Sequence, residues 1–221
     1  MKNLMLFLFV FPVFVFSQRV EIPAEYVRNN IGIGMDTNIK YEGSPYLNEK
    51  FEMGSIFIKN LDPINASLRY NAFSETIEMI DDEMKITALY KNFNVDVKIG
   101  NRLFKLFKNV VEGKNKIMYY EPLNDSGELI LLRKDKKIFV ESKKAKSAYT
   151  KDKPAKFQLK RNYFIHDNNK SKIVELKLKK KNILSLLTNH KDKINDYIKS
   201  NKLKLKNEKD VIKLFNYYNL L

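Results

Sequence analysis

From residue 55 onward, apolar and polar positions alternate in short runs. Val95-Asp96-Val97-Lys98-Ile99 alternates strictly, and Gly100-Asn101 follows it as a hairpin-type turn. Further runs rich in β-branched and aromatic residues occupy 55–59, 66–71, 76–80, 85–90, 103–107, 116–120, 128–133 and 137–141. Strands at about ten-residue spacing with no helix between them predict an antiparallel meander, folded as a sandwich or small barrel. Residues 142–156 carry no apolar period and contain Pro154, which predicts an exposed loop. Strands are expected again at 162–166 and 172–178, joined by Asp167-Asn168-Asn169-Lys170. In the second of these, Val174, Leu176 and Leu178 share one face, and only Ile173 interrupts the polar face.

The period then becomes helical over 182–190, 191–201 and 207–220. Ile183, Leu184 and Leu187, then Ile194, Tyr197 and Ile198, then Val211, Leu214, Phe215 and Tyr218 form apolar stripes. Asn207 is the expected N-cap of the last helix, with Asp210 three residues on. Each helix is too short to be stable alone, so all must dock on the sheet or on each other. The fold class is therefore mainly β with two or three short C-terminal helices, an α+β arrangement.

The amino terminus reads differently. Met1-Lys2-Asn3 precedes an uncharged apolar run, 4–16, and Ser17-Gln18 follows it. A positive start, an apolar core and a small residue predict a secretory signal peptide cut between Ser17 and Gln18. At ~1.5 Å per residue the run covers about two thirds of a ~30 Å hydrocarbon core, and Pro12 weakens it as a permanent helix. The expected division is a signal peptide (1–17), a β-rich domain (18–178) and a Lys-rich helical segment packed on it (179–221). No other stretch is apolar enough to span a membrane. With no cysteine there is neither a disulfide nor a lipid-bearing thiol after the apolar run. The expected compartment is the periplasm first, and otherwise secretion or peripheral association with the envelope.

Charge is distributed unevenly. Residues 1–133 hold 16 basic and 17 acidic side chains, and residues 134–221 hold 25 and 9. Such asymmetry commonly marks a surface for polyanions. The candidate contacts are Lys143, Lys144, Lys146, Lys179, Lys180, Lys181, Lys202, Lys204 and Lys206. Lysine outnumbers arginine 35 to 6, and arginine is the better bidentate phosphate ligand. Codon bias toward Lys, Asn and Ile would produce the same excess without any function. An exported chain has no use for nucleic acid, so anionic lipid, acidic glycan or a partner protein is the expected counterpart.

Catalytic signatures are missing. His166 and His190 stand apart from any Cys or carboxylate cluster with metal-ligand spacing. Asp81-Asp82-Glu83 lacks the alternating oxygens and glycine of a calcium loop and reads as a turn. There is no Gly-x-Ser-x-Gly elbow and no phosphate-binding glycine loop. Phe104, Phe107, Tyr119 and Tyr120 either line a ligand cavity or form core, and core is the commoner use of aromatics at strand spacing. Neither a cofactor nor a metal is expected.

Two stretches, Gly43-Ser-Pro-Tyr-Leu-Asn-Glu-Lys-Phe-Glu-Met-Gly-Ser-Ile and Leu68-Arg-Tyr-Asn-Ala-Phe-Ser-Glu-Thr-Ile-Glu-Met, resemble a group of secreted proteins of Bacteroidota, flavobacteria above all. Glu121-Pro-Leu-Asn, Leu131-Leu-Arg-Lys, the segment 145–157 and Asp210-Val-Ile-Lys-Leu-Phe-Asn-Tyr-Tyr-Asn are similar too. The group has no established activity, so the resemblance implies a source and a compartment and no catalytic residue. It also implies that 145–157 is ordered despite its composition. The leading expectation is a non-enzymatic envelope module that contacts a partner protein or an anionic surface. A barrel-like carrier of a small apolar ligand comes second, and a hydrolase with carboxylates assembled by the fold comes third.

Overall fold

The computed structural model describes residues 22–29, 40–124, 126–145 and 151–221. The signal segment, Ile31-Gly32-Ile33-Gly34 and Lys146 lie outside the described residues. In chain order the described residues form a 3-10 turn (Ala24–Tyr26), β1 (Val27–Asn29), β2 (Tyr41–Glu42), β3 (Glu52–Ile58) and β4 (Ile64–Asn71). Next come β5 (Thr76–Ile80), β6 (Ile86–Leu89), β7 (Val95–Ile99), β8 (Arg102–Val111) and β9 (Lys114–Pro122). The chain continues with β10 (Leu129–Val140), β11 (Ala155–Asp167) and β12 (Lys172–Leu176), then α1 (Lys180–Leu186), α2 (Lys191–Ser200) and α3 (Glu208–Tyr218).

The mainly β, α+β class is the observed one. Strands follow one path, β1-β6-β5-β4-β3-β7-β8-β9-β10-β11-β12, and β2 pairs with the start of β11. Every pairing is antiparallel except β2 with β11. The meander is interrupted once: after β6 the chain crosses back and lays β7 on the other edge of β3.

Two predicted strands, 128–133 and 137–141, are in fact one. The polar run between them does not break β10, because Arg133, Lys134 and Asp135 each find a charged partner. The predicted loop 142–156 is shorter than expected. Lys143 and Lys153 form an antiparallel bridge, and β11 begins at Ala155.

The sheet curls twice, in opposite senses. In the first curl, distant strands touch: Tyr70 of β4 packs 4.7 Å from the Phe104 ring of β8 and 6.1 Å from Tyr119 of β9. Lys137 N donates to Ala72 O at 3.0 Å, closing β10 over the end of β4. The space enclosed is filled by side chains, with Ile56, Leu68, Ile77 and Val97 fully buried beside Phe104 and Tyr119. In the second curl, Phe107 of β8 meets His166 of β11 at 5.0 Å, and β12 returns against β8. Met118, Tyr120, Ile130 and Leu132 are buried on its inner face. Neighbouring residues of β8 and β9 point to opposite sides, so this hairpin serves both cores.

The helices cover the outer face of the second curl. Ile183, Leu187, Ile194, Ile198, Val211, Leu214 and Phe215 pack on Leu129, Leu131, Ile165 and Leu176. Asn207 caps α3 as expected, its side chain accepting from Lys209 N at 2.9 Å. Between this core and the first lies a belt of ion pairs. Glu121 accepts from Arg102 and Arg133, Asp135 from Arg102 and Arg161, and Glu208 from Arg133.

Candidate functional site

Inside the second curl lies an open cleft of about 710 Å3. Its floor follows from strand parity. Met118 and Tyr120 on β9, Phe164 on β11 and Ile173 on β12 all face inward, with Val111 from the end of β8. Tyr120 packs edge-on against Phe164 at 5.2 Å and Phe107 at 5.9 Å. Its hydroxyl accepts from Asn109 Nδ2 at 2.8 Å, and burial pushes its pKa up to about 12.

The cleft exists because β9 and β10 separate. They pair only through Leu132↔Pro122 and Arg133↔Glu121, and beyond that point they splay. The turn between β4 and β5 reaches β10 here and delivers Glu75, which sits at a left-handed φ of 55°. Opposite, the β8–β9 hairpin projects past the first core as a two-stranded wall. Glu112 and Gly113 at its tip both have positive φ, 53° and 72°, the requirement of a type I′ turn.

The rim is charged, with Lys91, Lys116, Lys134, Lys136 and Lys160 set against Glu75, Glu112 and Glu175. Lys134 is the unusual member. It is a buried residue at 8% exposure, and its Nζ lies 2.9 Å from Glu75 Oε2 and 5.2 Å from the Tyr120 ring centroid. Met118 Sδ is 2.8 Å away. Burial lowers its pKa and outweighs the opposing pull of Glu75, with Lys136 and Lys91 adding to the lowering. Lys91 keeps its residue surface open to solvent, but its ammonium donates to Ile117 O at 3.2 Å; partial burial lowers its pKa as well. Glu175 accepts from Asn162 Nδ2 at 2.7 Å.

Eight of the nine lysines singled out by composition are described, and they lie elsewhere. Lys179, Lys180 and Lys181 flank and open α1, and Lys202, Lys204 and Lys206 lie between α2 and α3; all six are exposed. They belong to the helical layer, across the sheet from the cleft. Lys143 and Lys144 are exposed just beyond β10, and Lys146 lies outside the described residues. None of the eight described ones lines the cleft. The four aromatics divide by parity: Phe104 and Tyr119 fill the first core, whereas Phe107 and Tyr120 belong to the second. Tyr217 stacks on Tyr197 with ring centroids 3.9 Å apart, and Tyr218 is buried under the helices. Asp81 makes a turn, its Oδ1 accepting from Glu83 N and Lys85 N at 3.0 and 2.9 Å.

Among the described residues no group of three or more His, Asp or Glu is placed to hold a metal ion. Glu121 and Asp135 are both buried and close, yet Arg102 stands between them and donates to each. That geometry stabilises two carboxylates and provides no acid facing a base across open space. No helix among the described residues is long and apolar enough to cross a membrane. Comparison with protein-family models, curated protein sequences and solved structures returned no match.

Proposed function

We propose that this protein is an exported, non-enzymatic binding module of the envelope that holds a small ligand with an apolar body in the cleft of its second curl. The cleft carries the proposal. Its volume falls within the range of about 300–1,000 Å3 usual for small-molecule sites, and it combines an aromatic and aliphatic floor with a few convergent polar groups. A second opening, of about 750 Å3, lies on the first half of the sheet among Ile22, Val27, Ile64 and Met79, with Asp81 and Lys85 at its edge; no aromatic side chain is among its described lining residues. The ligand is assigned to the second-curl cleft for its aromatic floor and its buried lysine. The export part of the proposal rests on the signal-like residues 1–17 and on the resemblance to secreted Bacteroidota proteins. Fractionation with N-terminal sequencing tests it, the expected product beginning at Gln18.

The binding test uses the chain from Gln18 onward and N-phenyl-1-naphthylamine, a neutral fluorophore that brightens in apolar sites. Saturable enhancement is expected, and Phe164→Arg should weaken it at least fivefold while circular dichroism stays unchanged. Enhancement that does not saturate, or that ignores the Phe164 change, removes the reading.

The exposed lysines of the helical layer favour a second reading, docking on an anionic envelope surface. Lys179, Lys180, Lys181, Lys202, Lys204 and Lys206 are presented on one layer and none is tied into the cleft. Co-sedimentation with phosphatidylglycerol vesicles at low salt is the expected result on that reading. Indifference to such vesicles would exclude it without touching the cleft.

A further inference from the structure

We propose that the cleft selects a single-chain amphiphile carrying one carboxylate, with the head group received at Lys134 and the chain laid over Met118, Phe164 and Ile173. The inference rests on the carrier reading above and adds the chemical class of the ligand.

Three observations converge on Lys134 and the charges around it. First, an ammonium is buried there among apolar groups, between the Tyr120 ring and Met118. A buried ion pair is weak evidence for stability, since its desolvation commonly offsets its attraction. Apolar residues of similar size would fill that space with no such cost. Second, its partner Glu75 is supplied by a residue held at positive φ, a conformation that a side chain with a Cβ rarely adopts. Desolvated charge held at the wall of an open cleft points to a binding role. Third, the rim holds five lysines against three glutamates, leaving two positive charges without a counterpart within the cleft.

An anion entering from the open side meets Lys136, Lys160 and Lys91 before it reaches Lys134. There its carboxylate shares the ammonium with Glu75 or replaces it. The cationic rim lies beside an apolar floor, which selects a ligand with both properties, and neither a simple salt nor a neutral oil satisfies both. Among the described residues no arginine lines the cleft, so no bidentate fork favouring phosphate is presented there, and lysine point charges suit a carboxylate. The charge asymmetry of the sequence thus has a second location, inside the sheet and separate from the helical surface.

The experiment displaces bound N-phenyl-1-naphthylamine with dodecanoate, dodecanol and dodecyl phosphate, all below their aggregation limits. Dodecanoate should compete at least tenfold better than dodecanol at low salt, and better than the phosphate. Lys134→Gln should bring the acid and the alcohol within threefold of each other. Lys91→Gln, which removes a different cation of the rim, should narrow the gap even if the Lys134 variant is unstable. Equal competition by acid and alcohol in the unaltered protein overturns the inference and leaves the carrier reading standing. Stronger competition by the phosphate overturns the choice of head group. Failure of the fluorophore to bind at all removes the carrier reading itself.

Discussion

The belt of ion pairs that joins the two curls makes a quantitative prediction at Asp135. Its side chain is 1% exposed and accepts from Arg161 Nε at 2.7 Å, Arg161 Nη2 at 2.8 Å and Arg102 Nη2 at 2.7 Å. Asp135→Ala leaves two guanidinium groups without this acceptor. Removing one partner of a buried pair costs about 3–5 kcal/mol. Here the lower end applies, because Arg161 is 41% exposed and regains water, while Arg102 keeps Glu121. The expected loss is thus about 3 kcal/mol. With an m-value of about 2 kcal/mol/M in urea, the midpoint should fall by about 1.5 M. Asp135→Asn keeps the shape and one acceptor oxygen and should lose about half as much. Equilibrium urea unfolding of the chain from Gln18 onward, followed by circular dichroism, measures both. A midpoint shift below about 0.4 M for the alanine variant would refute the claim that this carboxylate locks the belt.

Acid should act on the same group. Burial alone raises the Asp135 pKa, but hydrogen bonds and charge from Arg161 and Arg102 outweigh it, and the net shift is down from 3.8. A carboxyl depressed in the folded state contributes fully above its unfolded value and loses that contribution as pH falls through the folded one. Melting temperature should therefore drop below about pH 4, and the drop should be shallower in Asp135→Asn; equal slopes would contradict the assignment. Tyr119 hydroxyl is buried and has no hydrogen-bond partner among the described residues, so Tyr119→Phe should leave melting temperature unchanged or raise it. A loss above about 1 kcal/mol would reveal a partner for that hydroxyl. Gly54 lies where β3 is crowded by β7 and β4. A Cβ there would collide with the Lys98 carbonyl and stand 2.8 Å from Leu68 Cδ1. Gly54→Ala should cost about 1–3 kcal/mol by overpacking, seen as a lower urea midpoint with an unchanged m-value.

Much of the sheet was legible because its period is local. Val95–Ile99 and Thr76–Ile80 occupy the predicted bounds, and Asn207 caps its helix, since alternation and capping depend on adjacent residues alone. Strand β12 shows where local patterning stops. Leu176 is buried under the helices as expected, but Val174 is 45% exposed, and Ile173, the one apolar residue on the polar face, lines the cleft. The strand has structure on both sides, so what looked like a lapse in alternation is a second apolar face. The cleft itself was not legible. Its residues come from β8 through β12 together with Glu75 and Lys91, and no spacing along the chain brings those together. Lys134 and Lys136 read as part of a basic excess, because a sequence does not tell a solvated lysine from one whose ammonium lies between Tyr120 and Met118.

The shared hairpin has a consequence for what changes the chain can absorb. Tyr119 and Tyr120 are successive residues, one against Tyr70 in the first core and the other against Phe164 in the second. A strand alternates with a period of two, so inserting or deleting one residue within β8 or β9, away from the turn at Glu112 and Gly113, would move side chains of one interior toward the other. Elsewhere in the molecule a loop can lengthen or a helix can fray with local effect. Here the residues obey something like a reading frame, and substitutions can accumulate while insertions cannot. Variation in this family of side chains should therefore proceed by replacement at fixed length, with Phe107 and Tyr120 free to follow the ligand while Phe104 and Tyr119 follow the fold.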